Sequence, residues 1–144
     1  MRFFILSLLL VSCNNSIEME NRYVAPELLD GTVVAMADQF FSRCGGRDNV
    51  PFIVLVSRMP EGASEKAIGH STKTPGGAVY ILRDWWLTAS DKRRMFLLIH
   101  ELSHAALGLT HNESNWVMQS HLIPEDIAVD KTIEEAFEAV GCKN

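Results

Sequence analysis

Between Pro26 and about Arg43, apolar residues recur at spacings of three and four: Leu28, Leu29, Val33, Met36, Ala37, Phe40 and Phe41. That is the period of one helix face, so the spacing predicts a core-packing helix, opened by Pro26, weakened at Gly31 and stopped by Gly45-Gly46. Val50 to Val56 is a nearly continuous apolar run rich in β-branched residues, which predicts a buried strand. After a loop from Arg58 to Lys66, Ala67 to Ser71 reads as a second strand and Ala78 to Leu82 as a third. Thr74-Pro75-Gly76-Gly77 supplies turn chemistry between them and suggests a hairpin. Asp84 to Leu87 then leads into a long helix, with Thr88 as its expected N-cap and Asp91 three residues on, so that it starts near Ala89. Lys92, Arg93 and Arg94 read as a solvated face, and Met95, Leu98, Leu102 and Ala106 as the stripe packed on the sheet. Asn112 to Asn115 is a polar loop, and Trp116-Val117-Met118 follows it. Past Pro124, the pattern predicts a last helix from Asp126 to Val140, with Ile127, Val129, Ile133, Phe137 and Val140 inside.

The chain has 144 residues, enough for one domain with one core. Its net charge of −5 is spread along the length, so no nucleic-acid partner is expected, and no basic run suggests an anionic membrane surface. The first twelve residues stand apart from the fold. Met1-Arg2 is a minimal positive start and Phe3 to Val11 a short apolar stretch, too short to span a bilayer. Leu10-Val11-Ser12-Cys13 resembles the bacterial lipobox. The resemblance implies a signal peptide over residues 1–12, cleavage before Cys13 and acylation (palmitate among the chains) of that cysteine. A lipid anchor of several acyl chains holds a protein firmly on a membrane. The expected location is therefore the bacterial cell envelope: the outer membrane if the cell is Gram-negative, which Asn14 favours, or the cell surface. Residues 13–25 are polar and aperiodic and read as a tether, leaving 26–144 as the folded domain. In the oxidising space that export implies, Cys44 and Cys142 read first as a disulfide.

Three of the five histidines fall between His100 and His111, in a stretch that also carries Glu101. On a helix, His100 and His104 lie one turn apart on nearly the same face, so both imidazoles can reach one metal ion. Glu101 sits about 100° further round, where a carboxylate can take a proton from water. Gly108 lets the chain leave the helix through a left-handed residue and swing His111 back as a third nitrogen ligand. Three ligands with one position left open is the arrangement of a catalytic zinc, and the motif points to a zinc-dependent hydrolase. Buried among Phe96 to Leu109, these polar groups would each cost a few kcal/mol without partners. His121 has no partner at ligand spacing and reads as a surface residue.

His100, Glu101, His104, Gly108 and His111 resemble, in kind and order, the elongated zinc signature of the metzincin clan of zinc peptidases. Leu107-Gly108-Leu109-Thr110-His111 is closest to its matrixins. The resemblance covers roughly the second half of the chain. It implies an α+β fold: a compact zincin-like domain with an N-terminal helix, a small twisted mixed β-sheet, an active-site helix, a Met-turn and a C-terminal helix. It further implies Zn2+ held by His100, His104 and His111, with Glu101 as general base and Met118 as the Met-turn residue. The strand Ala78, Val79, Tyr80, Ile81, Leu82 would be the edge that pairs with an extended peptide or protein substrate. One residue more than usual separates His104 from Gly108, so a π-bulge or a later break is needed to bring His111 round. No tyrosine follows Met118 at the Met-turn. Arg43 to Asp48 also looks a little like the cysteine switch of matrixin pro-segments, which would set Cys44 against the metal.

The leading expectation is thus a monomeric zinc endopeptidase. A gluzincin-like site would instead take Glu134 or Glu135 as third ligand. A zinc amidase acting on peptidoglycan would share the metal chemistry. A non-catalytic envelope lipoprotein with a zinc-stabilised fold would bind a partner and need no base.

Overall fold

The computed structural model describes residues 31–72, 74, 76–120 and 129–142. The expected signal segment 1–12, Cys13 and the expected tether, the expected helix opening at Pro26 to Asp30, Pro75, His121, Pro124 and residues 126–128 of the expected last helix lie outside them.

The described residues form a mixed α+β fold with four α-helices and one three-stranded sheet. In chain order these are α1 (Gly31–Cys44), β1 (Phe52–Val56), β2 (Gly69–Ser71), β3 (Ala78–Leu82), α2 (Arg83–Thr88), α3 (Asp91–Leu107) and α4 (Ile133–Ala139). Two short 3-10 turns, Arg47–Asn49 and Trp116–Met118, complete the set. Among the described residues no helix is long and apolar enough to cross a membrane.

β1 runs parallel to β3, with Phe52 opposite Ala78 and Val56 opposite Leu82. β2 returns antiparallel on the other side, with His70 opposite Tyr80, so the order is β1-β3-β2. The hairpin expected around Thr74 is present. The expectation that Ala78 to Leu82 is an edge strand is corrected: β3 is central, its backbone groups paired on both sides. The edge that lies against α3 is β2.

Alternation along the strands sends Ile53, Leu55, Val79 and Ile81 inward. They meet Phe40 and Phe41 of α1, Trp86 of α2, Phe96 and Leu98 of α3 and Phe137 of α4 in one contiguous core. The disulfide expected between Cys44 and Cys142 is formed, tying the end of α1 to the residues after α4. Cys44 is thereby committed, and the cysteine-switch alternative falls. Beside it, Arg43 makes a forked pair with Glu134 at 3.0 and 2.6 Å and lies 3.9 Å over the Phe137 ring.

Three local expectations change. Asp84 to Leu87 is not a simple lead-in but part of a helix of its own, and Thr88 belongs to it: its hydroxyl donates back to the Asp84 and Trp85 carbonyls. The long helix is capped by Ser90, whose side chain accepts from the Arg93 amide. Arg94 is not a freely solvated charge; it donates to the Trp86 and Leu87 carbonyls at 2.7 and 3.4 Å and closes the corner between α2 and α3. The last helix is not continuous to Val140 either. Thr132 and Glu135 form a reciprocal capping box that begins α4 afresh at Ile133.

Candidate metal centre

α3 is the element that carries the site. Its burial is nearly unbroken from Met95 to Ala106, including His100 at 6% exposure and Glu101 at 5%. Gly108 ends the helix with φ 69°, a left-handed value that a glycine adopts without steric cost, and the Gly108 and Leu109 amides both bond to the Ser103 carbonyl. The break after Leu107, with Gly108 closing a wide i→i−5 turn on Ser103, absorbs the extra residue before Gly108. Within four residues the chain has returned His111 to the helix.

His100, His104 and His111 come together, with one ligand atom from each lying within 4.8 Å of the others. The His104 and His111 ring centroids are 4.7 Å apart, and those of His100 and His111 5.5 Å. His100 Nδ1 lies 2.6 Å from the Val117 carbonyl oxygen, and His104 Nδ1 2.6 Å from that of Leu109. A carbonyl only accepts, so in both rings Nδ1 carries the proton and Nε2 presents a lone pair. Those two Nε2 atoms face each other at 3.2 Å. Two acceptors at that distance repel unless a cation lies between them. Nitrogens bound at 2.0–2.1 Å to a tetrahedral ion stand about 3.3–3.4 Å apart. The donor set therefore fits a metal ion on its chemistry, and carbonyl acceptors behind the ligating rings are the usual means of fixing tautomer and orientation.

Desolvation supports the same state. Burial pulls the His100 imidazole down to about 4 from its ordinary 6.5, against the opposing pull of the Val117 hydrogen bond. His104 is lowered for the same reason. Both rings are held neutral, the form that binds metal.

Glu101 lies one position further round the helix, beneath β2. Burial pushes its carboxyl up to about 7, and a hydrogen bond with the Ser71 side chain works the other way. Alternation places Gly69 and Ser71 on the face of β2 that meets Glu101, while His70 turns outward to stack on its neighbour Tyr80 at 6.4 Å. The three histidines, Glu101 and β2 together line an open groove of about 660 Å³. The small residues Gly62, Ala63 and Ser64, and Ser120, also line it.

Met118 is buried in the core, in the turn Trp116–Met118. What this turn contributes to the centre is the neighbouring Val117 carbonyl on His100. The glutamates offered as alternative ligands are engaged elsewhere, Glu134 with Arg43 and Glu135 in the cap of α4. Sequence reasoning missed Gly69, Ser71, Ser120 and the carbonyls of Leu109 and Val117. A carbonyl has no residue signature, whereas Asn115 two residues before Val117 is a capping signal that could have located the turn.

Compared with protein-family models, curated proteins and solved structures, the chain matches none.

Proposed function

We propose that this protein is a zinc-dependent hydrolase that cleaves peptide bonds, with His100, His104 and His111 as the metal ligands and Glu101 as the general base. The observation that carries the reading is the pair of lone-pair nitrogens on His100 and His104, 3.2 Å apart and backed by carbonyls, beside a buried carboxylate in an open groove. Imidazole sets suit zinc, and three of them leave a coordination position for substrate chemistry. Zinc, when bound, draws the pKa of its water toward neutrality and polarises a carbonyl. A purely structural ion has no use for a neighbouring base.

The chain's own residues supply the rest. Glu101, with its carboxyl near 7, is suited to take a proton from the attacking water and return it to the departing amine. Gly69 and Ser71 seat that carboxyl under the groove. β2 pairs with β3 on one side, and among the described residues no strand pairs with its other side. It thus offers an extended peptide a short row of backbone donors and acceptors along the groove wall. The metzincin-like order of the motif supports the same assignment, with β2 in place of the strand first expected. The lipobox-like Leu10–Cys13 stretch favours an envelope-anchored enzyme.

The test is a digest of an unbiased peptide library by the zinc-loaded protein, with Glu101→Gln as control. Cleavage by the wild type and none by the variant, at equal zinc content, is expected. Equal cleavage by both would remove Glu101 from the chemistry. A wild type that binds zinc and cleaves wall amides but no peptides would move the assignment to a peptidoglycan amidase.

A further inference from the structure

We infer that Asn115 is a positioning residue for the metal centre, holding the His100 ligand in place through the Val117 carbonyl and tying that contact to α4. The inference rests on the metal-hydrolase reading above. Asn115 touches none of the ligand rings in the contacts that define the site. Its amide instead works at both ends. Oδ1 accepts from the Val117 backbone amide at 3.1 Å, and Nδ2 donates to the Ala139 carbonyl of α4 at 2.7 Å.

Those two bonds fix the backbone amide of Val117, the residue whose carbonyl matters to the metal. The Val117 carbonyl points at His100 Nδ1 from 2.6 Å. A short path therefore runs from Ala139 through the Asn115 amide and the Val117 residue to the first ligand ring. An ordinary cap would satisfy the Val117 amide and stop there. Here the second end of the same amide is spent on a residue 24 positions away, which sets the turn against the C-terminal end of α4, the end that the Cys44–Cys142 disulfide also fastens.

The backbone of Asn115 extends the hold to the third ligand. Its amide donates to the Asn112 carbonyl at 3.0 Å and its carbonyl accepts from the Met118 amide at 2.9 Å. The Asn112 amide, next in the chain after His111, closes on the Met118 carbonyl at 2.9 Å. One compact turn thus spaces His100 and His111, and the Asn115 side chain joins the core packing of Val117 and Met118 in attaching it to the body of the protein. A partner bonded directly behind a ligating histidine commonly changes metal affinity by about 10–100-fold when removed; Asn115 acts one residue behind such a partner, which sets the expectation at the low end of that range.

The experiment compares wild type, Asn115→Ala and Asn115→Ser, each purified with its disulfide intact. It reads the zinc dissociation constant by chelator competition, the visible spectrum of the cobalt-substituted protein and the melting temperature of the metal-free form. Serine retains a cap for the Val117 amide but cannot reach Ala139. Asn115→Ala should weaken zinc binding about 10-fold and shift the cobalt bands, while Asn115→Ser should recover only the share owed to the Val117 cap and fall short of wild type by the share owed to Ala139. If alanine prevents folding, Asn115→Gly removes the same side chain with the mildest replacement at a cap and should show the same loss. Zinc affinity and cobalt bands unchanged in the variant lacking the side chain, whatever its melting temperature, would overturn the role of Asn115. A wild type that binds no zinc would overturn the metal reading, and this inference with it.

Discussion

Gly69 leaves the room that Glu101 occupies: a Cβ on Gly69 would stand 2.6 Å from Glu101 Oε1 and 2.8 Å from Leu97 Cδ1. Glu101 and Leu97 are one turn apart on α3, so β2 and α3 meet through a glycine at the point where the Glu101 carboxyl, the base proposed above, is held. Gly69→Ala should push the carboxylate out of its seat. Overpacking of this kind costs about 1–3 kcal/mol, and a displacement of about 1 Å in a reacting group costs on the order of 100-fold in rate. Peptidase activity should therefore fall on that order while zinc stoichiometry stays at the wild-type value. A Gly69→Ala protein with full activity would show that Glu101 is free to move without consequence.

Metal removal should be felt in stability as well as activity. The lone pairs of His100 and His104 converge at 3.2 Å, an arrangement favourable with a cation and unfavourable without one. A ligand that binds only the folded state, present at about 1,000 times its dissociation constant, adds about 4 kcal/mol. Dialysis against a chelator should lower the melting temperature, and zinc should restore it. His104→Ala should lose the metal by elemental analysis and lose the zinc-dependent part of the melting temperature with it. A melting temperature indifferent to both treatments would mean that no ion is held there.

The centre was legible in the sequence to the extent that it is local. His100, Glu101 and His104 are placed by helix periodicity alone, and Gly108 announces the left-handed exit that returns His111. The disulfide followed from an even pair of cysteines in a chain whose first residues read as an export signal. What escaped was set by contacts between distant parts of the chain. β3 is central because the chain passes from β1 to the far edge at β2 and only then turns back to insert β3 between them, and nothing in Ala78 to Leu82 distinguishes a central strand from an edge one. Thr88 and Ser90 are both good caps; Thr88 lost because its hydroxyl is drawn back to the carbonyls of α2. Lys131-Thr132 reads through as helix until Glu135 is seen to reach back to Thr132. The carbonyls behind His100 and His104 belong to Val117 and Leu109, residues chosen for packing, whose backbone is positioned by turns.

The disulfide should contribute chiefly through the unfolded chain. Cys44 and Cys142 are 98 residues apart, and closing a loop of that length lowers the unfolded chain's entropy by the equivalent of about 4–5 kcal/mol at 25 °C. Replacing both cysteines by alanine should cost stability on that scale in urea unfolding, at fixed zinc. The Arg43–Glu134 pair beside the bond is exposed on the glutamate side and should add little in comparison. A double variant within about 1 kcal/mol of wild type would place the restraint elsewhere, in the packing of Phe137 against Phe40.

The pH dependence of the metal-free protein should carry the signature of Glu101. Its carboxyl stands at about 7 in the fold against an ordinary 4.5, because burial disfavours the charged form. A group whose folded value lies above its unfolded value holds its proton more tightly when folded. Its contribution is complete below about 4.5 and is lost as the pH rises through about 7. The interval corresponds to about 3 kcal/mol. His100 runs in the opposite direction: lowered to about 4, it makes the fold more stable as pH climbs from there to 6.5. Both groups titrate in wild type, but Glu101→Gln removes only the first, so subtracting the two stability curves cancels the histidines. Measured by urea unfolding in chelator, the variant should gain about 3 kcal/mol on the wild type between pH 4.5 and a pH above 7, then hold that margin. Parallel curves would mean that water reaches the carboxylate in the metal-free fold, and a general base poised near neutrality would lose its physical cause.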